Sequence, residues 1–130
     1  MAENNQKTIL IIEDELPQLK SLADEFTDEG FRVLQAQNGE AGLAMALREH
    51  PDIILLDMVM PVMDGLAMLK KLRESNKWGQ FVSVIVLTNV SADQAAIKAF
   101  ENLAYDFLIK NDHSMKEVVK IVKEKLRTVS

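Results

Sequence analysis

Ile53-Ile54-Leu55-Leu56-Asp57, followed by Met58-Val59-Met60-Pro61-Val62-Met63-Asp64-Gly65, is an unbroken apolar run that ends in a carboxylate and a loop. A short run that is apolar at every position reads as a strand buried on both faces, which is how strands of a parallel sheet look. In such sheets the C-terminal ends of the strands carry the ligand chemistry. Three further runs deliver polar groups in the same way. Ile9-Leu10-Ile11-Ile12 leads to Glu13 and Asp14, Val84-Ile85-Val86-Leu87 leads to Thr88, and Phe107-Leu108-Ile109 leads to Lys110. Laid side by side as parallel strands, they bring three carboxylates, a hydroxyl and an ammonium to one edge of one sheet. No packing role needs that set.

Around these runs the chain alternates short apolar stretches with amphipathic ones, the pattern of βα units wrapped on a parallel sheet. Strands are expected at Thr8–Ile12, Phe31–Ala36, Ile53–Leu56, Val82–Leu87 and Tyr105–Ile109. The second mixes polar with apolar positions and belongs near a sheet edge, whereas the third and fourth belong at the centre. A first helix is expected from about Leu16, with Pro17 in its first turn, to Glu29, and Gly30 stops it. Asn38 is placed to cap the second. Asp64 or Gly65 marks the start of the third, with Leu66, Met68, Leu69 and Leu72 turned inward. Ser91-Ala92-Asp93-Gln94 and Ser114-Met115-Lys116-Glu117 have the spacing of capping boxes, which sets the starts of the fourth and fifth helices. Asn76-Lys77-Trp78-Gly79-Gln80 reads as an inserted loop, with Trp78 and Phe81 covering the end of the sheet. His50 and His113 read as surface residues, and Met60 and Met63 as loop packing.

The chain has 130 residues, 48% of them hydrophobic and 27% charged, which is ordinary composition for one globular domain. No repeat or linker interrupts the series, so residues 1–130 are expected to form a single domain, with 1–7 flexible. No apolar run is long enough for a membrane span, and the first seven residues lack the features of a signal peptide. Cytoplasm is the default compartment. The absence of cysteine excludes disulfides, thiolate zinc sites and cysteine nucleophiles. A net charge of −5 argues against direct nucleic-acid binding and suits an acidic site that attracts a divalent cation.

Four motifs in order, Ile12-Glu13-Asp14-Glu15, Asp57 with Met60-Pro61-Val62-Met63-Asp64-Gly65, Leu87-Thr88 and Leu108-Ile109-Lys110, resemble the receiver domain of two-component response regulators. The resemblance covers the chain from about Lys7 to its end. It implies a flavodoxin-like, CheY-like α/β fold: a doubly wound, five-stranded parallel sheet of order 2-1-3-4-5 with five helices on both faces. It also implies a stand-alone signalling switch. Asp57 would accept a phosphoryl group from a phosphohistidine on a sensor histidine kinase or histidine phosphotransfer protein, and the chain would be a phosphoacceptor rather than an enzyme acting on separate substrates. The implied output is a changed surface on the helix after the fourth strand, the fifth strand and the last helix, read by a downstream protein target. The phosphorylated form would be a monomer or a dimer.

The residues carry that chemistry on their own account. Glu13, Asp14 and Asp57 at one edge repel each other, and a bound cation relieves the repulsion. Magnesium (Mg2+) prefers oxygen ligands and bridges carboxylates to a phosphoryl group. Asp57 can then act as nucleophile, Thr88 can donate a hydrogen bond to a phosphoryl oxygen, and Lys110 can set its ammonium beside another. Resemblance assigns the same roles and adds the backbone carbonyl of Val59 as a metal ligand. It makes Thr88 and Phe107 the switch pair, Phe107 lying three residues before the lysine and turning inward with the threonine. Lys116, Lys120, Lys123, Lys125 and Arg127 would give the last helix a basic side, for a partner or for solubility.

Four departures from the family pattern stand out. Asn111 replaces the proline that usually follows the lysine, and Asn89 replaces the usual small residue after Thr88. Val59 and Val90 are apolar at positions that tune hydrolysis of the phosphoryl group, and neither side chain can hydrogen-bond a water. The glycine often found before the fifth strand is missing, with Asn102 the nearest residue tolerant of a left-handed helix end. Two other functions use similar letters. A phosphatase of the haloacid dehalogenase type would need an acid where Val59 stands, and a pseudo-receiver adaptor that is never phosphorylated would be expected to have lost an acid or Lys110.

Overall fold

The computed structural model describes residues 6–57, 62–88, 106–109 and 114–128, with backbone alone described for Asp57, Thr88, Thr128 and residues 62–66 and 106–109. The elements run β1 (Thr8–Ile12), α1 (Leu16–Asp28), β2 (Arg32–Ala36), α2 (Gly39–Glu49), β3 (Ile53–Asp57), α3 (Val62–Ser75), α4 (Lys77–Phe81), β4 (Ser83–Thr88), β5 (Asp106–Ile109) and α5 (Met115–Thr128). All four strand pairings are parallel, and the sheet order is β2-β1-β3-β4-β5, as the family resemblance implied. The mixed strand β2 is at an edge and apolar β3 at the centre. The helix expected from Ser91-Ala92-Asp93-Gln94 lies outside the described residues, as do Asn102, Tyr105 and His113.

Both faces of the sheet are covered, so alternate residues of each strand enter different cores. Leu10, Ile12, Ile54, Leu56, Val84 and Val86 face Ala46 of α2 and Met68, Leu69 and Leu72 of α3. Ile9, Ile11, Ile53, Leu55, Ile85 and Leu87 face Leu19, Leu22 and Phe26 of α1 and Val118, Val119 and Val122 of α5. This double burial is why the strands read as continuous apolar runs. Close packing of α2 requires a glycine: a Cβ on Gly42 would stand 2.5 Å from Ile12 Cδ1.

Several boundaries move for identifiable reasons. Phe31 is not the first residue of β2 but the end of the turn that closes α1. Its N–H donates to Phe26 O at 3.0 Å, and that of Gly30, at φ +95°, donates to Thr27 O at 3.0 Å, the double bond of a Schellman closure. The rings of Phe26 and Phe31 meet edge-to-face with centroids 5.2 Å apart. Helix α3 starts at Val62, before Asp64 and Gly65, so Met63 is helical rather than part of a loop. The cost of a glycine in a helix is easily met within a first turn whose orphan N–H groups are not yet in the bond ladder. β3 and β4 each extend to their polar residue, because Asp57 pairs with Leu87 and Thr88 with Ile109.

The insertion read as a loop is the short helix α4. Asn76 Oδ1 accepts from Gly79 N at 2.6 Å, a side-chain cap that was present in the sequence but attached to no visible period. Trp78 packs on the core below α2 and α3 and stacks on His50, ring centroids 4.2 Å apart and planes within 5°. His50, the left-handed end of α2, therefore has a packing role although it is exposed. Phe81 does not cover the sheet: it is 68% exposed. Arg73 of α3 ties the insertion down, donating to the carbonyls of Gly79 at 3.0 Å and Val82 at 2.7 Å, and burial lowers its guanidinium below its ordinary pKa. Among the described residues no helix is long and apolar enough to cross a membrane.

Candidate phosphoacceptor site

The register of the sheet sets the residues of the site at defined heights. Ile12 is level with Leu56, Leu56 with Val86, and Val86 with Phe107. One residue further along lie Glu13, Asp57, Leu87 and Leu108, and one more brings Asp14, Thr88 and Ile109. With a rise of about 3.3 Å per residue, Glu13, Asp14, Asp57 and Thr88 therefore occupy two adjacent rungs at the C-terminal edge of three neighbouring strands. Phe107 lies on the rung just below, one strand further out. Lys110, which follows β5, and Val59, which follows β3, lie outside the described residues, as do Asn89, Val90 and Asn111.

The two acids that end β1 have different environments. Glu13 is 0% exposed, while Asp14 is exposed. Glu13 keeps the sheet going, its N–H donating to Ala36 O at 3.0 Å, and its Oε2 accepts from Glu15 N at 3.1 Å. That second bond holds the carboxylate over the start of α1, whose N-terminal residue Glu15 has no side-chain cap of its own. The sequence alone does not distinguish this from a solvated helix start, since both are written with the same acidic residues. Removing the Glu13 carboxylate from water is expensive unless a cation or donors compensate, and Asp57 and Asp14 stand on the same and the next rung of the sheet. The donor set, all oxygen and mostly carboxylate, matches what a magnesium ion takes.

A concavity lies beside these strand ends. Leu87, the residue level with Asp57, lines a cavity of about 340 Å3 with Pro17 and Leu22 of α1 and Met115 and Val118 of α5. The capping box at the start of α5 is formed as its spacing indicated: Ser114 N donates to Glu117 Oε1 at 2.8 Å and Glu117 N to Ser114 Oγ at 3.2 Å. The basic side of α5 is narrower than its composition suggests. Lys116, Lys120, Lys123 and Arg127 are exposed along one stripe, but Lys125 is half-buried.

Residues 9–123 match the family model for the response regulator receiver domain. The chain is similar to the response regulator PleD of Caulobacter vibrioides, 36% identical over 102 residues that make up 78% of this chain and 22% of that protein. It is also similar to the transcriptional regulatory protein ResD of Bacillus subtilis, 31% identical over 130 residues, 100% of this chain and 52% of ResD. The chain thus spans between about a fifth and a half of the length of these curated relatives. Among solved structures, a putative response regulator from Chloroflexus aurantiacus superposes with a TM-score of 0.81 at 28% identity, covering 95% of this chain and 99% of that one. The receiver domain of Francisella response regulator 1452 gives a TM-score of 0.82 at 23% identity over 96% of this chain and 100% of its own, a likeness of fold.

Proposed function

The chain belongs to the response regulator receiver domain family, and we propose that it is a signalling switch driven by phosphorylation of Asp57. One observation carries the reading: Asp57 ends the central strand, with the acids of β1 on one side and the threonine of β4 on the other, all within two rungs of the sheet. Family membership supports phosphorylation-dependent signalling in general, and the assignment to these residues is the proposal.

In the proposed reaction a carboxylate oxygen of Asp57 forms a bond to phosphorus as the N–P bond of a phosphohistidine breaks. The departing imidazole nitrogen keeps the electron pair. Glu13, Asp14, Asp57 and the Val59 carbonyl would hold magnesium, which when bound offsets negative charge on the carboxylates and the transferring group. Lys110 adds a point charge and Thr88 a hydrogen bond to phosphoryl oxygens. A phosphoryl group brings about −1.5 to −2 charges and three acceptor oxygens, so the Thr88 loop is drawn inward, with Phe107 moving beside it. The partners are a sensor histidine kinase or phosphotransfer protein upstream and a protein target downstream, met by the surface of the fifth strand and its flanking helices. A cysteine-free chain fits work in the cytoplasm.

The test is incubation with magnesium and a small phosphodonor, read by intact mass. The proposal predicts gain of one phosphoryl mass that needs magnesium and is lost in Asp57→Asn; a stable gain in that variant would refute it. Lifetime is a second readout. Apolar Val59 and Val90 hold no water for in-line attack, so dephosphorylation is slow, and Val59→Asn with Val90→Glu should speed decay of the phosphorylated mass by reducing an orientation cost.

A further inference from the structure

At the opposite, N-terminal end of the sheet the closure of α1 leaves a cavity of about 580 Å3, within the range of small-molecule sites. Its origin is local. The left-handed turn that ends α1 requires Gly30 at φ +95°, and no atom lies within 4 Å of where a Cβ would stand. The wall beside it is apolar, made by Gly30, Phe31 and Leu126. Around it stand Lys7, Lys120, Lys123 and Arg127, against only Glu29 and Glu124. Glu29 is engaged by an ion pair with Lys123, whose hydrogen bond holds the Glu29 carboxyl below its ordinary pKa. The lining therefore carries four cations against two acids, in a chain whose net charge is −5.

We propose that this cavity, between the closing turn of α1 and the last turns of α5, binds a small anion carried on an apolar or aromatic body. An apolar wall under a cationic rim favours a ligand with both characters: the wall takes the hydrophobic part and the rim the carboxylate, sulfonate or phosphate. Five of the residues come from α5 and Glu29, Gly30 and Phe31 from the end of α1, so the ligand ties the end of α5 to that of α1. Its site is a whole strand length away from Asp57, and occupancy there does not compete with phosphorylation for any side chain.

The probe is 8-anilinonaphthalene-1-sulfonate, titrated into the full chain and followed by amide NMR. Saturable shifts centred on Gly30, Phe31 and Leu126 are expected, with affinity reduced about tenfold or more in Lys120→Glu/Arg127→Glu and reduced by added salt. Leu126→Trp, which fills the cavity without changing charge, should abolish them while leaving the rest of the spectrum native. Shifts centred instead on Gln18 and Met115, affinity indifferent to the charge reversal, or the absence of saturable shifts would each overturn the proposal.

Discussion

At the N-terminal end of the sheet polar groups are closed by partners: Asp52 Oδ2 accepts from Thr8 N at 2.7 Å, Arg73 gathers the carbonyls around α4, and His50 lies flat on Trp78. At the C-terminal end the strands run straight into acids and a hydroxyl, one of them a carboxylate with 0% exposure. The first arrangement gains stability from each bond it makes. The second gathers like charges that no packing requirement calls for, and the proposed binding of a cation and a phosphoryl group would make use of them. Damage at one end should therefore lower stability and leave the chemistry, whereas damage at the other should do the reverse.

Arg73→Ala is the strongest way to break the contrast. It leaves two half-buried carbonyls, those of Gly79 and Val82, without a charged donor and should cost about 2 kcal/mol in urea unfolding, while the folded protein still accepts a phosphoryl group on Asp57. Loss of acceptance in the folded variant would show that the two ends are coupled. Glu13→Gln probes the other end. Magnesium affinity by calorimetry should fall about tenfold, near 1.4 kcal/mol, while stability without magnesium stays level or rises, since a buried charge has been removed. A marked loss of stability would mean that Glu13 is a structural acid.

Smaller effects sharpen the comparison. Ser114→Ala removes one arm of the α5 capping box and should cost about 1 kcal/mol by denaturant midpoint, with no change in magnesium binding. Glu29 and Glu49 have carboxyls held below the ordinary 4.5, first by hydrogen bonds from Lys123 and Arg48 respectively. Their contribution is full above that value and is lost as pH falls through the depressed one. Glu29 is exposed and Glu49 half-buried, both within reach of water, so acid scans of melting temperature should differ only slightly between the wild type and Glu29→Gln, and less in high salt.

Much of the fold could be read from the chain because β1, β3 and β4 are buried on both faces and so print as continuous apolar runs, and because Asn38 and Ser114 cap helices by side chains with known spacing. The strand order came from family resemblance; periodicity alone gives units without their arrangement. What escaped was non-local or too short. Helix α4 has five residues, fewer than two turns, so only its Asn76 cap could have signalled it. The ring met by His50 and the burial of Glu13 depend on packing between segments far apart in sequence, and the carbonyls met by Arg73, 6 and 9 residues on, are placed by the unforeseen helix α4. Of the site itself, Glu13, Asp14, Asp57 and Thr88 stand at the edge where the sequence put them, whereas Lys110 and Val59 lie outside the described residues.

Borohydride reduction shows directly whether the phosphoryl group lands at the end of β3. Aspartyl phosphate formed with magnesium and a small phosphodonor is reduced to homoserine, which peptide mass mapping locates. Homoserine at position 57 alone is the predicted result; homoserine at position 14 or 64, or none in a sample that has gained phosphoryl mass, would contradict it.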